Sequence, residues 1–286
     1  MSDEQPKTAK SHSYRRPALL ERTGDTIGRL LGDSSMRWRL RNVYRRLLGI
    51  ATRGGPRSVL PHGEVVRMAP EFRFVTWNPV EYEAFRAVLR PGDTALDVGA
   101  NVGPYAILFG IWAGPQGRVV AFEPAAAAYE GLCRHLALNG LTGHVRALRV
   151  AVSDTVGEAE FVGEGFQGTN RLRGGATADA SSRTIRVPTT TIDEVCRVER
   201  LQPRLIKIDV EGAELAVLRG ARETIARMAA DGGLFVEMHP VAWRATGITV
   251  DDVRDELSRQ QLSAVPLRAN VDPWSLDGEC MRLVRG

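Results

Sequence analysis

Three observations predict an α/β fold built on a doubly wound, mostly parallel sheet. The apolar run Thr94-Ala95-Leu96 leads into Asp97-Val98-Gly99-Ala100-Asn101-Val102-Gly103, a strand that breaks into a glycine turn and then a helix. A second apolar run, Val119-Val120-Ala121-Phe122, ends in Glu123. Strand-like and helix-like stretches then alternate along most of the chain, as βαβ units with crossovers on both sheet faces require.

Taken in order, residues 1–26 are polar and irregular, a composition expected to stay disordered. From 26 to 50, Met36, Leu40, Val43, Leu47 and Ile50 recur at helical spacing while Arg37, Arg41 and Arg45 occupy other faces. Arg53-Gly54-Gly55-Pro56 ends that helix. Residues 64–77, with Val65-Val66 and Phe72-Arg73-Phe74-Val75, read as strand; 79–89, opening on Pro79, read as helix. After the turn Pro91-Gly92-Asp93 come a strand at 94–98, a helix from Pro104 to Trp112, a strand at 118–122 and a helix from Ala125 to Leu138 stopped by Asn139-Gly140. A third strand is expected over Val145 to Val152, and later strands at 205–209 and 233–238. Between Ala159 and Val187 the chain reads strand, loop, strand, and the Gly/Ala/Ser/Thr-rich loop at about 163–183 lacks the apolar residues to pack itself down. It reads as a mobile surface loop or as a lid that orders on binding. Ala264–Leu267 and Met281–Val284 supply a terminal antiparallel hairpin. The expected organisation is a basic arm with an amphipathic helix over 1–60 and one domain over 61–286.

The 286 residues suffice for a full core. Residues 1–60 carry 13 Lys/Arg against 5 Asp/Glu, about +8, on a chain of +4, so the remainder is about −4. The basic character belongs to the arm. That argues against a nucleic-acid-binding domain and for a local contact: packing on the body, a homodimer seam, or an anionic membrane or acidic carrier. Cys133, Cys196 and Cys280 form no CxxC pair and read as free thiols of a reducing compartment. With no 18-residue apolar run and no apolar segment after the polar N-terminus, a cytoplasmic protein is expected.

The glycine turn narrows the cofactor. A dinucleotide turn needs a second glycine where this chain has Asn101, and no Gly-Lys-Ser/Thr loop for nucleotide phosphates is present. Asp-x-Gly-x-x-x-Gly with an acid one strand later suits an adenosine cofactor without phosphates, S-adenosyl-L-methionine. Its ribose diol can be gripped by both oxygens of Glu123.

The chain resembles the FkbM-type S-adenosylmethionine-dependent methyltransferases over most of residues 64–240. The resemblance is carried by Pro91 through Gly103, Ala121-Phe122-Glu123-Pro124, Ala151-Val152-Ser153-Asp154, Thr190 through Val195, Ile206 through Glu214, and Val236-Glu237-Met238-His239. It implies a class I methyltransferase (Rossmann-like) fold and methyl transfer to a hydroxyl of a sugar, glycan or polyketide-type metabolite. It also implies that Asp97, Gly99, Asn101 and Gly103 shape the methionine end of the cofactor site, that Glu123 holds the ribose, and that Ser153 and Asp154 neighbour the adenine.

Lys207, Asp209 and Glu211 alternate at the end of an otherwise apolar strand, where charges are costly to bury unpaired. They read either as an internal ion pair or as acceptor-handling groups at the ligand crevice. An alcohol is a poor nucleophile while it keeps its proton, so a base is required; Asp209 or His239 is the candidate, with Glu211 and Lys207 as orienting groups. Catechol-type methyltransferases hold Mg²⁺ with acids at comparable strand ends, here Asp209 and Glu237, although the familiar Asp-Asp or Asp-Asn pair is missing. The rival readings are a non-catalytic cofactor-binding protein, which would not need this cluster, and an NAD-type dehydrogenase, which Asn101 opposes. No Asn/Asp-Pro-Pro-aromatic motif supports nucleic-acid methylation.

Overall fold

The computed structural model describes residues 54–72, 74–162, 171–172, 184–269, 271–272, 274 and 278–286, together with Val43 and Ile50. Most of the basic arm over 1–60 and most of the loop at 163–183 therefore lie outside the described residues. Val43 and Ile50, expected on the apolar seam of the arm, are helical and exposed.

An antiparallel pair, β1 (Arg57–Val59) and β2 (Val65–Arg67), precedes the main body. Around Phe72–Val75, where a strand is expected, the described residues form none, and Pro70–Phe72 is a 3-10 turn. Apolar residues here are needed for packing rather than for pairing, since Phe72 sits edge-on to the ring of His135 at 5.0 Å. Helix α1 (Pro79–Val88) starts where Asn78 accepts from the Val80 amide and proline fills the first turn.

Then follow β3 (Thr94–Val98), α2 (Pro104–Ala113), β4 (Arg118–Phe122), α3 (Ala126–Leu138) and β5 (Val145–Leu148). The single strand expected over 145–152 is two strands. After β5 the chain changes partner, and β6 (Ala151–Val152) pairs with β9 (Thr184–Thr190) in a separate sheet. In that sheet β7 (Gly157–Val162) runs antiparallel to both β8 (Arg171–Leu172) and β9. Apolar alternation persists across such a switch, so the sequence pattern does not mark it.

Helix α4 (Ile192–Glu199), capped by Thr191, leads to β10 (Leu205–Ile208), short helices α5 (Glu214–Arg219) and α6 (Arg222–Arg227), and β11 (Gly233–Met238). Helices α7 (Pro240–Thr246) and α8 (Val250–Arg259) precede β12 (Leu262–Pro266) and β13 (Glu279–Arg285), the expected terminal antiparallel pair.

The central sheet has the order β12-β13-β11-β10-β3-β4-β5, in which β13 runs against the direction shared by the other six strands. Winding outward from β3 on one side and β10 on the other leaves a switch point between them, where a crevice opens at the carboxyl ends of the strands. The core lies on both faces. Phe85, Phe109, Trp112 and Phe235 pack on one, and Leu96, Val98, Ile206, Val236 and Trp243 on the other. Among the described residues no helix is long and apolar enough to cross a membrane.

Candidate active site

The crevice at the switch point is an open cleft at the carboxyl ends of the strands, where ligands of such sheets bind. Its lining joins three strand ends: Gly99 and Asn101 after β3, Glu123 and Pro124 after β4, and Asp209 and Glu211 after β10.

Gly99 has φ +81°, and a Cβ there would stand 1.7 Å from the carbonyl oxygen of Asp209. Only glycine lets the turn lie against the end of β10. Asn101 also takes a left-handed conformation, φ +49°, which aims its amide at Glu123. The Glu123 carboxylate accepts from the Asn101 amide at 2.9 Å and the Ala125 amide at 2.8 Å. Burial pushes this carboxyl up to about 7 against those two hydrogen bonds, with Asp97 and Asp209 adding to the rise. The side-chain oxygen of Asn101 is buried with no hydrogen-bond partner among the described residues, a polar atom left over for a ligand.

Other expected cofactor residues stand back from the cleft wall. Gly103, φ +88°, caps α2, and a Cβ there would meet Leu132 at 2.5 Å, so it serves helix packing. Asp97 is fully buried, and neither carboxylate oxygen meets a hydrogen-bond donor among the described residues. Burial lifts it to about 6 against the pull of Lys207, whose Nζ is 3.8 Å away. Ser153 and Asp154 follow the lining residues Val150, Ala151 and Val152 but are not lining residues themselves; the Ser153 hydroxyl donates to Asp154 at 3.3 Å. Phe161 on β7 does line the cleft, a contribution from the second sheet that local pattern did not reveal.

The second group lies at the ends of β10 and β11. Lys207 and Asp97 are register partners on adjacent strands, and so are Lys207 and Phe235. Lys207 is 4% exposed, with Nζ 3.1 Å from Asp209 Oδ2 and 5.3 Å from the ring centre of Tyr105. The internal ion-pair reading thus describes Lys207, which does not reach the cleft surface. Burial works against its charge, yet the fields of Asp209, Asp97, Glu237 and Glu81 together hold its pKa above the usual lysine value.

The alternation expected through Glu211 stops early. Strand β10 ends at Ile208, and Glu211 sits in a turn at φ +52°. Gly212 follows at φ +108°, so the chain turns away instead of extending. The turn nonetheless brings Glu211 Oε2 to 3.8 Å from His239 Nε2, with Asp209 Oδ1 at 4.0 Å and Glu237 Oε1 at 3.7 Å from the same nitrogen.

His239 is oriented from behind by Glu214, which the sequence reading did not single out. Its Nδ1 is 2.7 Å from Glu214 Oε1, an oxygen that also accepts from the Gly212 amide at 2.9 Å, while Trp243 Nε1 donates to Oε2 at 2.5 Å. Glu214 is fully buried at the first turn of α5. The signal available was an acid opening a helix just after a glycine turn; its partner 25 residues on could not be read locally. Burial presses the His239 pKa down, but the hydrogen bond and charge of Glu214, with Asp209 and Glu211, outweigh it and lift the imidazole to about 9. Glu237 is pushed up to about 8 by burial and by Asp209, with Lys207 opposing. Glu81, on α1, is buried, accepts from the Tyr105 hydroxyl at 2.5 Å, and is likewise raised by burial.

The pair expected to hold Mg²⁺, Asp209 and Glu237, thus belongs to a larger group. Among the described residues, Asp209, Glu211 and His239 bring one ligand atom each within 4.8 Å of one another.

The amino-acid sequence is similar to those of known proteins. "Methyltransferase sdnD" of Sordaria araneosa is 32% identical over 158 residues, 45% of this chain and 60% of that protein. "Hexuronic acid methyltransferase AglP" of Haloferax volcanii is 26% identical over 183 residues, 63% of this chain and 67% of that protein. "31-O-demethyl-FK506 methyltransferase FkbM" of Streptomyces tacrolimicus is 32% identical over 163 residues, 47% of this chain and 62% of that protein. The chain therefore spans about 60–67% of the length of these relatives. The profile described as "Methyltransferase FkbM domain" matches residues 97–263, from the buried aspartate of β3 to β12, and the chain belongs to that family.

Proposed function

We propose that the protein is an S-adenosylmethionine-dependent O-methyltransferase acting on a hydroxyl of a sugar, glycan or polyketide-type metabolite. One observation carries the reading: a single cleft is lined at one side by Asn101 and Glu123 and at the other by Asp209 and Glu211. A binding protein needs only the first side. The acceptor class draws on the relatives, one of which is named for hexuronic acid and another for a 31-O position.

The residues fit the cofactor. Glu123, fixed by two amides, keeps lone pairs for a ribose diol, and Asn101, whose side-chain oxygen has no hydrogen-bond partner among the described residues, lines the same cleft. When bound, S-adenosylmethionine supplies an electrophilic methyl group and its own leaving group. The chain must align the acceptor oxygen and take its proton as the oxygen–carbon bond forms. Asp209 is the proposed base. Lys207 holds one of its oxygens at 3.1 Å and leaves the other toward His239 and the cleft. With its pKa lifted to about 9, His239 in the ion-free site is protonated on both nitrogens at neutral pH and orients rather than accepts; an ion binding at Nε2 would displace that proton. Mg²⁺ at Asp209 and Glu237 would acidify the hydroxyl, and activity lost in EDTA and restored by Mg²⁺ would support it.

Calorimetry with S-adenosylhomocysteine, followed by single-turnover assays on uronic-acid glycans and polyketide alcohols, tests the reading. Binding and turnover are expected; failure to bind S-adenosylhomocysteine rejects it. A rate that climbs with pH up to about 9 would transfer the base role to His239. The basic arm over residues 1–60 is proposed, on its charge alone, to meet an acidic surface or a second copy, which light scattering with and without residues 1–50 would separate.

A further inference from the structure

We propose that Asp209, Glu211 and His239 form a divalent-cation site at the cleft that favours an ion accepting an imidazole nitrogen, such as Mn²⁺, over Mg²⁺. The proposal deepens the methyltransferase reading and rests on it for its role, though not for its geometry.

Two atoms each about 2.1 Å from an ion can be at most about 4.2 Å apart. His239 Nε2 lies 3.8 Å from Glu211 Oε2 and 4.0 Å from Asp209 Oδ1, longer than hydrogen bonds and within that limit. One atom from each of the three residues falls within 4.8 Å of the others, so a small inward shift closes them on one ion.

A second, independent feature lies behind the histidine. Metal-bound histidines donate their other N–H to a carboxylate or carbonyl, which fixes the tautomer and turns the free lone pair to the ion. Glu214 provides that partner at 2.7 Å, and it is itself held by the Gly212 amide and the Trp243 indole, outside the ligand set. These contacts lock the imidazole with Nε2 toward Asp209 and Glu211. Asp209 is divided in the same manner: Oδ2 is taken by Lys207 at 3.1 Å, and Oδ1 is the oxygen on the histidine side.

The donor chemistry selects the ion. Mg²⁺ takes oxygen ligands and retains its waters, whereas Mn²⁺, Fe²⁺, Co²⁺ and Zn²⁺ accept imidazole. Both carboxylates line the cofactor cleft, so an ion here would stand where an acceptor hydroxyl must approach; by acidifying that hydroxyl it would take over the task proposed for Asp209 as base in the ion-free site.

The test uses the full chain without cofactor or acceptor, titrated with Mn²⁺ and followed by the resonance of the free ion. A single tight Mn²⁺ is expected, bound at least about tenfold more tightly than Mg²⁺ in competition. Spin-echo modulation of the bound ion should show a directly coordinated nitrogen that His239→Ala removes. Glu214→Gln should weaken Mn²⁺ by about 10–100-fold while leaving the nitrogen signal. Absence of Mn²⁺ binding up to millimolar concentration overturns the proposal, as does binding without a nitrogen signal in the unaltered protein. S-adenosylhomocysteine calorimetry on the same sample separates the two readings: cofactor bound without metal sinks only the ion site, and metal bound without cofactor sinks only the methyltransferase reading.

Discussion

The Gly99–Gly103 turn and the Lys207–Glu211 segment meet across one cleft but are held by different forces. At the turn, backbone does the positioning: two amides fix Glu123, and a glycine lets the chain pass within contact of Asp209. At the second segment, side chains hold side chains, with Lys207 against Asp209 and Asp97, and His239 against Glu214. Backbone amides suit a constant ligand, because N–H donors do not titrate, although the Glu123 carboxyl they hold does. Charge networks suit chemistry, because each member sets the proton affinity of the next.

Variants on either side should fail differently. The largest effect is expected from Gly99→Ala, where a Cβ 1.7 Å from a backbone oxygen at positive φ should cost about 4 kcal/mol or more in urea unfolding. A loss below about 1 kcal/mol would mean that the turn does not press on β10. Asp209→Asn should cut single-turnover rates by about 10²–10⁴-fold while S-adenosylhomocysteine still binds. Unchanged turnover would move the base elsewhere.

Glu214→Gln should lower His239 from about 9 toward the ordinary value of ~6.5, read from its imidazole proton resonances. The raised pKa stabilises the fold fully below ~6.5, and that contribution is lost as pH rises through about 9. The variant should flatten this pH dependence of stability, an effect of up to about 3 kcal/mol. A resonance still titrating near 9 would assign the shift to Asp209 and Glu211 instead. On the cofactor side, Glu123→Ala should weaken S-adenosylhomocysteine by about 1–3 kcal/mol in calorimetry, with equal affinity removing Glu123 from the site. Ser153→Ala, outside the cleft lining, should change that affinity by less than ~0.5 kcal/mol; a larger loss would put the adenine beside it after all.

Much of this was legible locally. The strands at 94–98, 118–122 and 233–238 and the helices after the first two fall where apolar runs, prolines and Asn-Gly stops put them. The turn and Glu123 were readable because the requirement for glycine and for an acid at a strand end is carried by the residues themselves. The errors have a common origin in partner choice. Residues 145–152 are apolar enough for one strand but serve two sheets, and the chain at Glu211 leaves the strand because Gly212 follows at φ +108°.

The sequence by itself determined the doubly wound sheet, the glycine turn and the acid at the next strand end, because periodicity and turn chemistry act over a few residues, while the family was read from the resemblance of its motifs. Only the tertiary structure decided that Lys207 is sealed inside by Asp97 and Asp209, that Glu214 stands behind His239, and that Phe161 reaches the cleft from another sheet. Proton affinities, ligand sets and cavity walls depend on distances between groups far apart in the chain, and those distances exist only once the sheet has paired.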